Sequence, residues 1–474
     1  MASWRNVASS IPSFVRPLAD RPLPSPGPTL ASATRFWLRL GWVSFGGPAG
    51  QIALLHRELV ERRRWLSERR YLHALNYCLL LPGPEATQLA TYLGWLMHGS
   101  RGGLLAGGLF LLPSVLVLLG LSSLYALWGQ LPLLQAVFWA LKPAVLAIVA
   151  NAAWRLGQRT LHNPLLLAIA LAALAALALG KIPYPLLVVL AAAIGWLGGR
   201  LRPGLFQLPP RAAAPLSAAG SGPDPEGERE LPPEPIHGDA TPTPAHARFE
   251  PRRLALTLLL GGLAILGPLL LLARLDGANG MLLTMARFFS RVALFSFGGA
   301  YAVLPYVAQG AVHDFDWLTP AQMLDGLALG ETTPGPLIMV VAFVGFLGAW
   351  NASASLPYAL LAGLVVVWFT FLPSFLFILV GGPLVEASRE DLRLGPPMTA
   401  ITAALVGVIA SLALFFAVPV LWPGGRFDPF ALALAALALL LLRLGWGVLP
   451  LIGGAGLVGL LRFVLPMAGL PATP

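Results

Sequence analysis

Long apolar runs separated by short polar turns make up most of the chain. Six of these runs precede a proline-rich polar stretch and seven follow it. Runs of this length and apolarity predict helices that cross or enter a membrane. The predicted segments are 34–62, 67–98, 102–128, 132–157, 161–180, 182–200, 253–274, 281–312, 319–350, 355–382, 395–420, 428–443 and 446–465.

Composition supports an all-α polytopic membrane protein. Hydrophobic residues make up 57% of the chain and charged residues only 11%, against about 25% charged residues in soluble domains. The net charge of +10 is then a property of loops and ends, which argues against a nucleic-acid-binding surface. The single cysteine, Cys78, excludes an intramolecular disulfide framework and a cysteine-based zinc site.

Four regions follow from the order of these patterns. Residues 1–31 form a proline-containing tail that we expect to be disordered, and they lack the apolar core of a signal peptide. Residues 32–202 form a first repeat. Residues 203–251 are predicted to be a disordered cytoplasmic linker with little to bury. Residues 252–474 hold a linking span and a second repeat.

The two halves repeat each other with a constant shift of 252 residues. The sequence Ser-Phe-Gly-Gly at 44–47 returns at 296–299, and Pro-Gly-Pro at 82–84 returns at 334–336. After a slip of eight residues, Leu-Pro-Ser at 112–114 matches 372–374. One shared offset through separated motifs indicates an internal duplication.

The number of segments predicts how the copies are oriented. Seven segments separate the start of the first copy from the start of the second, and an odd number gives the copies opposite orientations in the membrane. Inverted repeats are a recurring plan of secondary transporters, with the substrate site near the midplane between the copies.

Glycine and proline interrupt 34–62, 67–98 and their equivalents near the middle. Each half gives about 16–22 Å of helix, so these segments are either broken spans or re-entrant hairpins. The positive-inside rule favours hairpins, because the arginine-rich loop 57–70 and the tail then both lie inside, while 313–318 lies outside. We therefore predict about nine full spans plus four broken or re-entrant segments, with the N-terminus inside and the C-terminus outside.

The predicted substrate site lies where glycine and proline interrupt these four segments. Half-helices that begin at the midplane would turn free N–H groups and positive dipole ends toward a bound anion. An arginine pair one helical turn apart precedes each Ser-Phe-Gly-Gly, and guanidinium groups suit bidentate oxyanion binding. The predicted substrate-binding residues are Arg35, Arg39, Ser44, Gly46, Gly47, Pro82, Gly83, Arg287, Arg291, Ser296, Gly298, Gly299, Pro334 and Gly335.

Other interpretations of these residues stay open at the sequence level. Arg35 and Arg39 also fit a topogenic or snorkelling role, since they lie near the start of their segment. Arg287 and Arg291 lack that explanation, because their segment enters from outside in the predicted topology. Glycine and proline are common in membrane helices and also serve packing alone.

Three charged residues are candidates for ion coupling. Glu85 and Glu331 flank the two Pro-Gly-Pro breaks, and either could carry a proton. Glu85 equally fits an ordinary acidic residue in a first helical turn. Lys142 lies in the middle of its segment, where it either attracts substrate or pairs with a carboxylate.

No cofactor or metal is predicted. His56, His73 and His98 do not share metal-ligand spacing, and we interpret them as loop or interface residues. The sequence has no Walker A motif, no hydrolase triad spacing and no His-Glu-x-x-His. An ATP-driven pump within this chain is therefore not supported.

The motifs at 44–48, at 81–90 and around 112–114, with their second-half copies, resemble those of the chromate transporter family. The length resembles that of its long-chain members, which hold two homologous halves. The resemblance implies export of chromate, a tetrahedral dianion, across the bacterial inner membrane. The second copy departs from the pattern with Ala300 in place of Pro48 and Leu337 in place of Glu85, so we expect the halves to contribute unequally.

Two alternatives accompany this interpretation. The substrate is chromate or a related oxyanion such as sulfate, since these anions share shape and charge. An integral membrane enzyme acting on a lipid phosphate would use the same arginines and helix ends. The sequence leaves open whether the protein forms a homo-oligomer.

Overall fold

A computed structural model describes residues 28–179, 182–206, 235–239, 241–242, 244–277, 279–387 and 395–467. This part of the chain is helical and contains no β-strand, which confirms the all-α prediction; one isolated bridge joins Leu66 and His237. Most of the tail at 1–31 and residues 207–234 of the linker lie outside the described residues.

Sixteen helices, ordered along the chain, are named here. They are α1 Leu30–Trp42, α2 Gly47–His56, α3 Glu68–Leu80, α4 Glu85–Trp128, α5 Pro132–Thr160, α6 Pro164–Ala178, α7 Tyr184–Leu201, α8 Pro251–Leu275, α9 Met281–Leu294, α10 Ala300–Gln309, α11 Pro320–Thr332, α12 Val340–Ser353, α13 Leu356–Ala387, α14 Gly395–Leu421, α15 Pro429–Arg443 and α16 Val448–Met467. Short π-helical turns extend α2 and α10, and a 3₁₀ turn precedes α12.

Helix α4 reverses direction at His98 and Gly99, whose backbone is not helical. Its two arms, 85–97 (α4a) and 100–128 (α4b), pack antiparallel. The backbones of Gly94 and Gly102 lie so close that a β-carbon on either would overlap the carbonyl oxygen of the other. The predicted boundary between segments 67–98 and 102–128 therefore falls at a tight turn.

Six described helices are long and apolar enough to cross a membrane: α4, α5, α7, α8, α13 and α14. Helices α6 and α15 are apolar but have only 15 residues each, or about 22 Å of length against a hydrocarbon core of about 30 Å. Helix α8 is exposed along most of its length, and its leucines include Leu259 at 69% exposure. Such an apolar outer surface fits contact with lipid, so the chain is a multi-pass membrane protein.

The segments that carry Ser-Phe-Gly-Gly fold back on themselves. The ring centroid of Phe36 on α1 lies 5.0 Å from that of Trp65, beyond α2. The equivalent pair in the second copy, Phe288 and Trp317, is 5.8 Å apart. In a straight helix each pair would be separated by roughly 40 Å. The α1–α2 and α9–α10 segments are therefore hairpins and not broken spans.

The segments that carry Pro-Gly-Pro are hairpins as well. In the first copy, the rings of Tyr77 on α3 and Tyr92 on α4a are 5.8 Å apart across the break. In the second copy, Gly326 on α11 packs against the ring of Phe343 on α12, where a β-carbon would not fit. All four interrupted segments therefore end their first helix near the break and return.

The two long helices beside these hairpins, α4b and α13, run antiparallel. Gly107 of α4b packs against Phe375, and farther along α4b Leu119 packs against Gly363, which lies earlier in α13. This pairing places the C-terminal end of each helix beside the N-terminal end of the other.

The two Pro-Gly-Pro hairpins lie at opposite ends of this helix pair. The Tyr92 hydroxyl of the first hairpin donates to Glu386 at the end of α13, over 2.7 Å. The Tyr125 hydroxyl near the end of α4b donates to Asp325 of the second hairpin, over 2.9 Å. Because α4b and α13 are antiparallel, the hairpins approach the centre of the molecule from opposite directions.

The remaining helices interlock the copies. Helix α5 of the first copy packs against α14, α15 and α16 of the second, and α14 packs against α5, α6 and α7 of the first. The Trp139 indole N–H donates to Asp428 over 3.2 Å, and the Tyr184 hydroxyl donates to the Phe295 carbonyl over 3.1 Å. One hydrophobic core cluster therefore draws residues from both copies, and neither copy closes its core alone.

The end of the linker docks onto the first copy. The Ser67 amide donates to the His237 carbonyl over 3.1 Å, and the Arg70 guanidinium donates to the Thr241 carbonyl. The His246 ring contacts the carbonyl oxygens of Trp95 at 3.0 Å and Leu96 at 3.1 Å, which are free because α4a ends there. The described residues between 235 and 247 therefore pack against the first copy, and the linker prediction for 203–251 as a whole stays a prediction.

Candidate substrate site at the helix breaks

The four breaks meet crosswise through two backbone hydrogen bonds. The Gly83 amide donates to the Ser296 carbonyl, and the Gly335 amide donates to the Ser44 carbonyl, each over 2.6 Å. The shift of 252 residues converts one bond into the other. The Pro-Gly-Pro break of each copy thus contacts the Ser-Phe-Gly-Gly break of the other, and four predicted site residues lie together.

Glycine is required where these backbones meet. Gly83 has φ +131 and Gly335 has φ +110, which side chains with a β-carbon rarely adopt. A β-carbon on Gly83 would overlap the Ser374 hydroxyl, and one on Gly335 would overlap Ser114 at 2.5 Å. The two contacts are again related by the duplication, with Ser114 and Ser374 in equivalent positions.

The other break glycines turn the chain into the returning helices. Gly46, Gly47, Gly298 and Gly299 all have positive φ, and α2 and α10 begin at or directly after them. No described side chain caps the starts of α2, α4 and α10. Helix starts of this kind offer N–H groups to a ligand, except that at α4 the Glu85 carboxyl already interacts with its own backbone N–H. Pro82 and Pro334 fix the backbone before Gly83 and Gly335.

Four buried serines surround the crosswise contact. Ser44 and Ser114 have no exposed surface, and Ser296 and Ser374 are 1% exposed. Within the described part of the chain, none of the four hydroxyl oxygens has a hydrogen-bond partner. Ser122, also buried in α4b, instead donates to the Leu118 carbonyl over 2.7 Å. Buried polar groups are nearly always hydrogen-bonded, so four unpartnered hydroxyls in symmetric positions indicate a ligand site.

Sequence reasoning missed Ser114 and Ser374 as site residues. Their Leu-Pro-Ser motif served only as evidence of duplication, although a repeated serine in the middle of an apolar helix was a usable signal. Both serines lie near the middle of their helices, α4b at 100–128 and α13 at 356–387. The four breaks therefore lie at mid-height of these two long helices.

Additional polar side chains come from the first copy only. Each of these side chains is buried and has an oxygen without a hydrogen-bond partner among the described residues. The four residues are Gln51, Glu85, Thr87 and Gln88. The equivalent positions of the second copy hold apolar residues, which are Val303, Leu337, Met339 and Val340. The site is thus symmetric in its backbone and asymmetric in its polar side chains, consistent with the expected inequality of the halves.

The two acidic candidates have different environments. Glu85 is the first residue of α4a, and its carboxyl oxygens lie 3.5 and 3.8 Å from where a β-carbon of Gly299 would stand. Glu331 is half-buried, and its carboxylate accepts a hydrogen bond from the Tyr301 hydroxyl. Of the two, Glu85 borders two breaks, one from each copy.

Lys142 pairs with a carboxylate. Its ammonium lies 3.4 Å from Asp325, whose other carboxyl oxygen accepts from Tyr125. Of the two interpretations of Lys142, the structure agrees with charge pairing. The pair joins α5 of the first copy to α11 of the second.

The arginine pairs lie away from the buried groups of the breaks. Arg35 and Arg39 on α1, and Arg287 and Arg291 on α9, are exposed, while the opposite faces of these helices are buried. The structure does not bring the four guanidinium groups together with the four serines. Their role as substrate ligands stays a prediction.

A family model for chromate transporters matches residues 31–196 and 283–460, one match for each copy. The chain belongs to the chromate transporter family. The two separate matches confirm both the resemblance and the internal repeat. No solved structure matches the chain significantly.

Relatives of this family are similar over most of their length. A probable chromate transport protein of Synechococcus elongatus is 30% identical over 81% of this chain and 84% of its own length. A chromate transport protein of Cupriavidus metallidurans is 29% identical over 93% and 95%, and one of Pseudomonas aeruginosa is 32% identical over 86% and 86%. Their names describe transport, which confirms that the family is not an enzyme family and removes the lipid-phosphate enzyme as an alternative.

The described residues contain no group of three or more His, Cys, Asp or Glu side chains placed to hold a metal ion. His56 instead contacts Glu61 at 3.1 Å and Glu68 at 2.5 Å, and His98 contacts the Pro28 carbonyl at 2.7 Å. The site is built from hydroxyl, amide and backbone groups together with the Glu85 carboxyl. Hydroxyls and N–H groups bind oxygen atoms of an anion by donating hydrogen bonds.

Replacing Gly335 by alanine should destabilise the protein by about 2–4 kcal/mol, because the new β-carbon would overlap Ser114 and would also be strained at this positive φ. Thermal unfolding in detergent measures the loss. Gly108→Ala is the matched control, since nothing lies within 4 Å of a β-carbon there. Adding Ser114→Gly to Gly335→Ala should restore part of the stability. Equal midpoints for Gly335→Ala and Gly108→Ala would contradict the proposed close contact.

Proposed function

We propose that the protein is a secondary transporter that exports chromate across the bacterial inner membrane. The observation that carries the proposal is the crosswise contact of the four breaks, surrounded by four buried hydroxyls that have no hydrogen-bond partner among the described residues. A site between two copies at mid-height is the arrangement that alternating access requires, since it can open toward either side. Family membership supports chromate as the transported oxyanion.

The proposed topology has inverted copies, nine full spans and four re-entrant hairpins, with the N-terminus in the cytoplasm and the C-terminus in the periplasm. The antiparallel packing of α4b and α13, with hairpins entering from opposite ends, supports it. The nine spans are α4b, α5, α6, α7, α8, α13, α14, α15 and α16. Irregular backbone at the breaks is then surrounded by protein, as membrane depth demands.

The proposed recognition of chromate uses hydrogen-bond donors. The hydroxyls of Ser44, Ser114, Ser296 and Ser374 and the first N–H groups of the returning helices donate to the oxygens of the tetrahedral dianion. The exposed arginine pairs attract the dianion toward the hairpins through longer-range electrostatics, which salt weakens. Sulfate has the same shape and charge, so it is the main competing substrate.

Inverted membrane vesicles that contain the protein should accumulate labelled chromate, because export from the cell becomes uptake in that orientation. Cells expressing it should retain less chromium and survive chromate better than cells with an empty vector. Excess sulfate in the vesicle assay reports selectivity. Accumulation of sulfate but not chromate, with the protein present in the membrane, would contradict the chromate assignment and leave the architecture intact.

Equivalent cysteines should report opposite sides of the membrane. Glu61 and His313 occupy matching positions in the π-helical turns at the end of the Ser-Phe-Gly-Gly hairpin of each copy, and both are exposed. In a Cys78→Ala background, an impermeant thiol reagent should label His313→Cys in whole cells and Glu61→Cys only after permeabilisation. Labelling of both positions in whole cells would contradict inversion.

Ser114→Ala and Ser374→Ala should each lower transport per molecule by roughly ten- to a hundredfold, the effect of losing one hydrogen bond to a charged group. Chromate uptake divided by the amount of membrane protein measures this effect. Ser122→Ala is the control, because its hydroxyl already bonds within α4b. Unchanged normalised transport in both test variants would refute the serine site.

The arginines are tested in the same assay. Arg287→Ala and Arg291→Ala should raise the chromate concentration needed for half-maximal transport, with a difference from wild type that shrinks as salt is added. Arg→Lys substitutions keep the charge and should have a smaller effect. Wild-type concentration dependence in both alanine variants at low salt would remove the arginines from the proposed mechanism.

A further inference from the structure

We propose that an oxyanion and one proton bind this site together, and that the Glu85 carboxyl takes the proton. The inference rests on the proposed function, because it concerns the coupling of transport at the same site. It would make the protein a co-transporter of a proton and an oxyanion, not an exchanger of one for the other.

The first observation is where the Glu85 side chain lies. Glu85 is the first residue of α4a, so its carboxyl lies beside the N–H groups at the start of a half-helix and interacts with its own backbone N–H. It is 7% exposed and faces Gly299 at the start of α10. The chain's own carboxyl group therefore lies where two half-helix starts, one from each copy, converge. That position suits an anion, so Glu85 and an oxyanion compete for the same positive electrostatic potential at the helix starts.

The second observation is that Glu85 has no partner to neutralise it. Among the described residues, no lysine or arginine forms an ion pair with it, and its Oε2 atom accepts no hydrogen bond. From α3, the Cys78 thiol is the titratable group that interacts electrostatically with the carboxyl. The breaks of the other elements present uncharged groups, the backbone of Gly299 and the hydroxyls of Ser296 and Ser374.

The consequence follows from the repulsion of like charges. A dianion and an ionised carboxylate cannot share a buried site at modest cost, since little solvent screens them. Protonation removes the repulsion and turns the carboxyl into one more hydrogen-bond donor for the oxyanion. Oxyanion binding thus takes up a proton, and the loaded site holds a dianion and one added proton, a net change of one negative charge.

The duplication limits the number of protons to one. The second copy holds Leu337 where the first has Glu85. Glu331 lies before its break, is half-buried, and already accepts a hydrogen bond from Tyr301. In the part of the chain that the structure describes, a single carboxyl therefore faces the crosswise contact, and one proton should accompany each oxyanion.

The test measures proton uptake when chromate binds to the purified protein in weakly buffered detergent solution at pH 8. Wild type should take up close to one proton per bound chromate, and its affinity should rise about tenfold for each pH unit of acidification while Glu85 is ionised. Glu85→Gln should bind chromate at pH 8 at least tenfold more tightly than wild type, without proton uptake. In proteoliposomes it should exchange chromate for chromate but lose accumulation driven by a proton gradient.

Glu386→Gln is the matched control and should behave as wild type. Glu386 is also buried, at 8% exposure, but it accepts a hydrogen bond from Tyr92.

Wild-type binding without proton uptake, or binding that depends on Na⁺ and not on pH, would overturn the inference while leaving chromate transport intact. Loss of proton uptake in Glu331→Gln but not in Glu85→Gln would also overturn it. Absence of chromate binding to wild type at any pH would remove the proposed function and this inference together. The wild-type measurement alone decides the matter if Glu85→Gln fails to fold.

Discussion

Backbone groups at four helix breaks must find hydrogen-bond partners where water is scarce, and this constraint shapes the rest of the molecule. The amides of Gly83 and Gly335 reach the carbonyls of Ser296 and Ser44 in the opposite copy. Neither copy can make these bonds alone, because each supplies one donor and one acceptor to the other. The bonds in turn require glycine, since a β-carbon on Gly83 would overlap Ser374 on α13, and one on Gly335 would overlap Ser114 on α4b. Packing of the hairpins, the long helices and the interface between the copies is thereby fixed around one point.

The site combines a symmetric backbone scaffold with asymmetric side chains. The backbone turns, the four serines and the antiparallel pair α4b and α13 obey the duplication. The buried polar residues Gln51, Glu85, Thr87 and Gln88 do not, because the second copy has apolar residues in their places. In the proposed inverted topology, this symmetry would allow the site to close from either side of the membrane. Because of this asymmetry in the side chains, the proposed proton acceptor, Glu85, lies on a single hairpin among the described residues.

The docked end of the linker packs against the α3–α4a hairpin of the first copy. It contacts Ser67 and Arg70 at the start of α3, and its His246 ring meets the carbonyls left free where α4a ends. The same hairpin, α3 and α4a, carries Gly83 and Glu85. Movement of that hairpin therefore has to carry the docked residues with it or break their hydrogen bonds, which ties the linker mechanically to the site.

The sequence by itself determined the helical class, the thirteen segments, the duplication and the positions of the four breaks, because hydropathy and glycine or proline act locally and repeat at a fixed offset. It also led to the family through those motifs. Only the tertiary structure decided that the interrupted segments are hairpins, since this depends on contacts such as Phe36 with Trp65. It likewise revealed Ser114 and Ser374, which lie far along the chain from the breaks they face, and paired Lys142 with Asp325. The arginines were favoured from their spacing, their position before each break and the predicted topology. None of these says which face of a helix is buried, because that is fixed by the neighbours against which the helix packs.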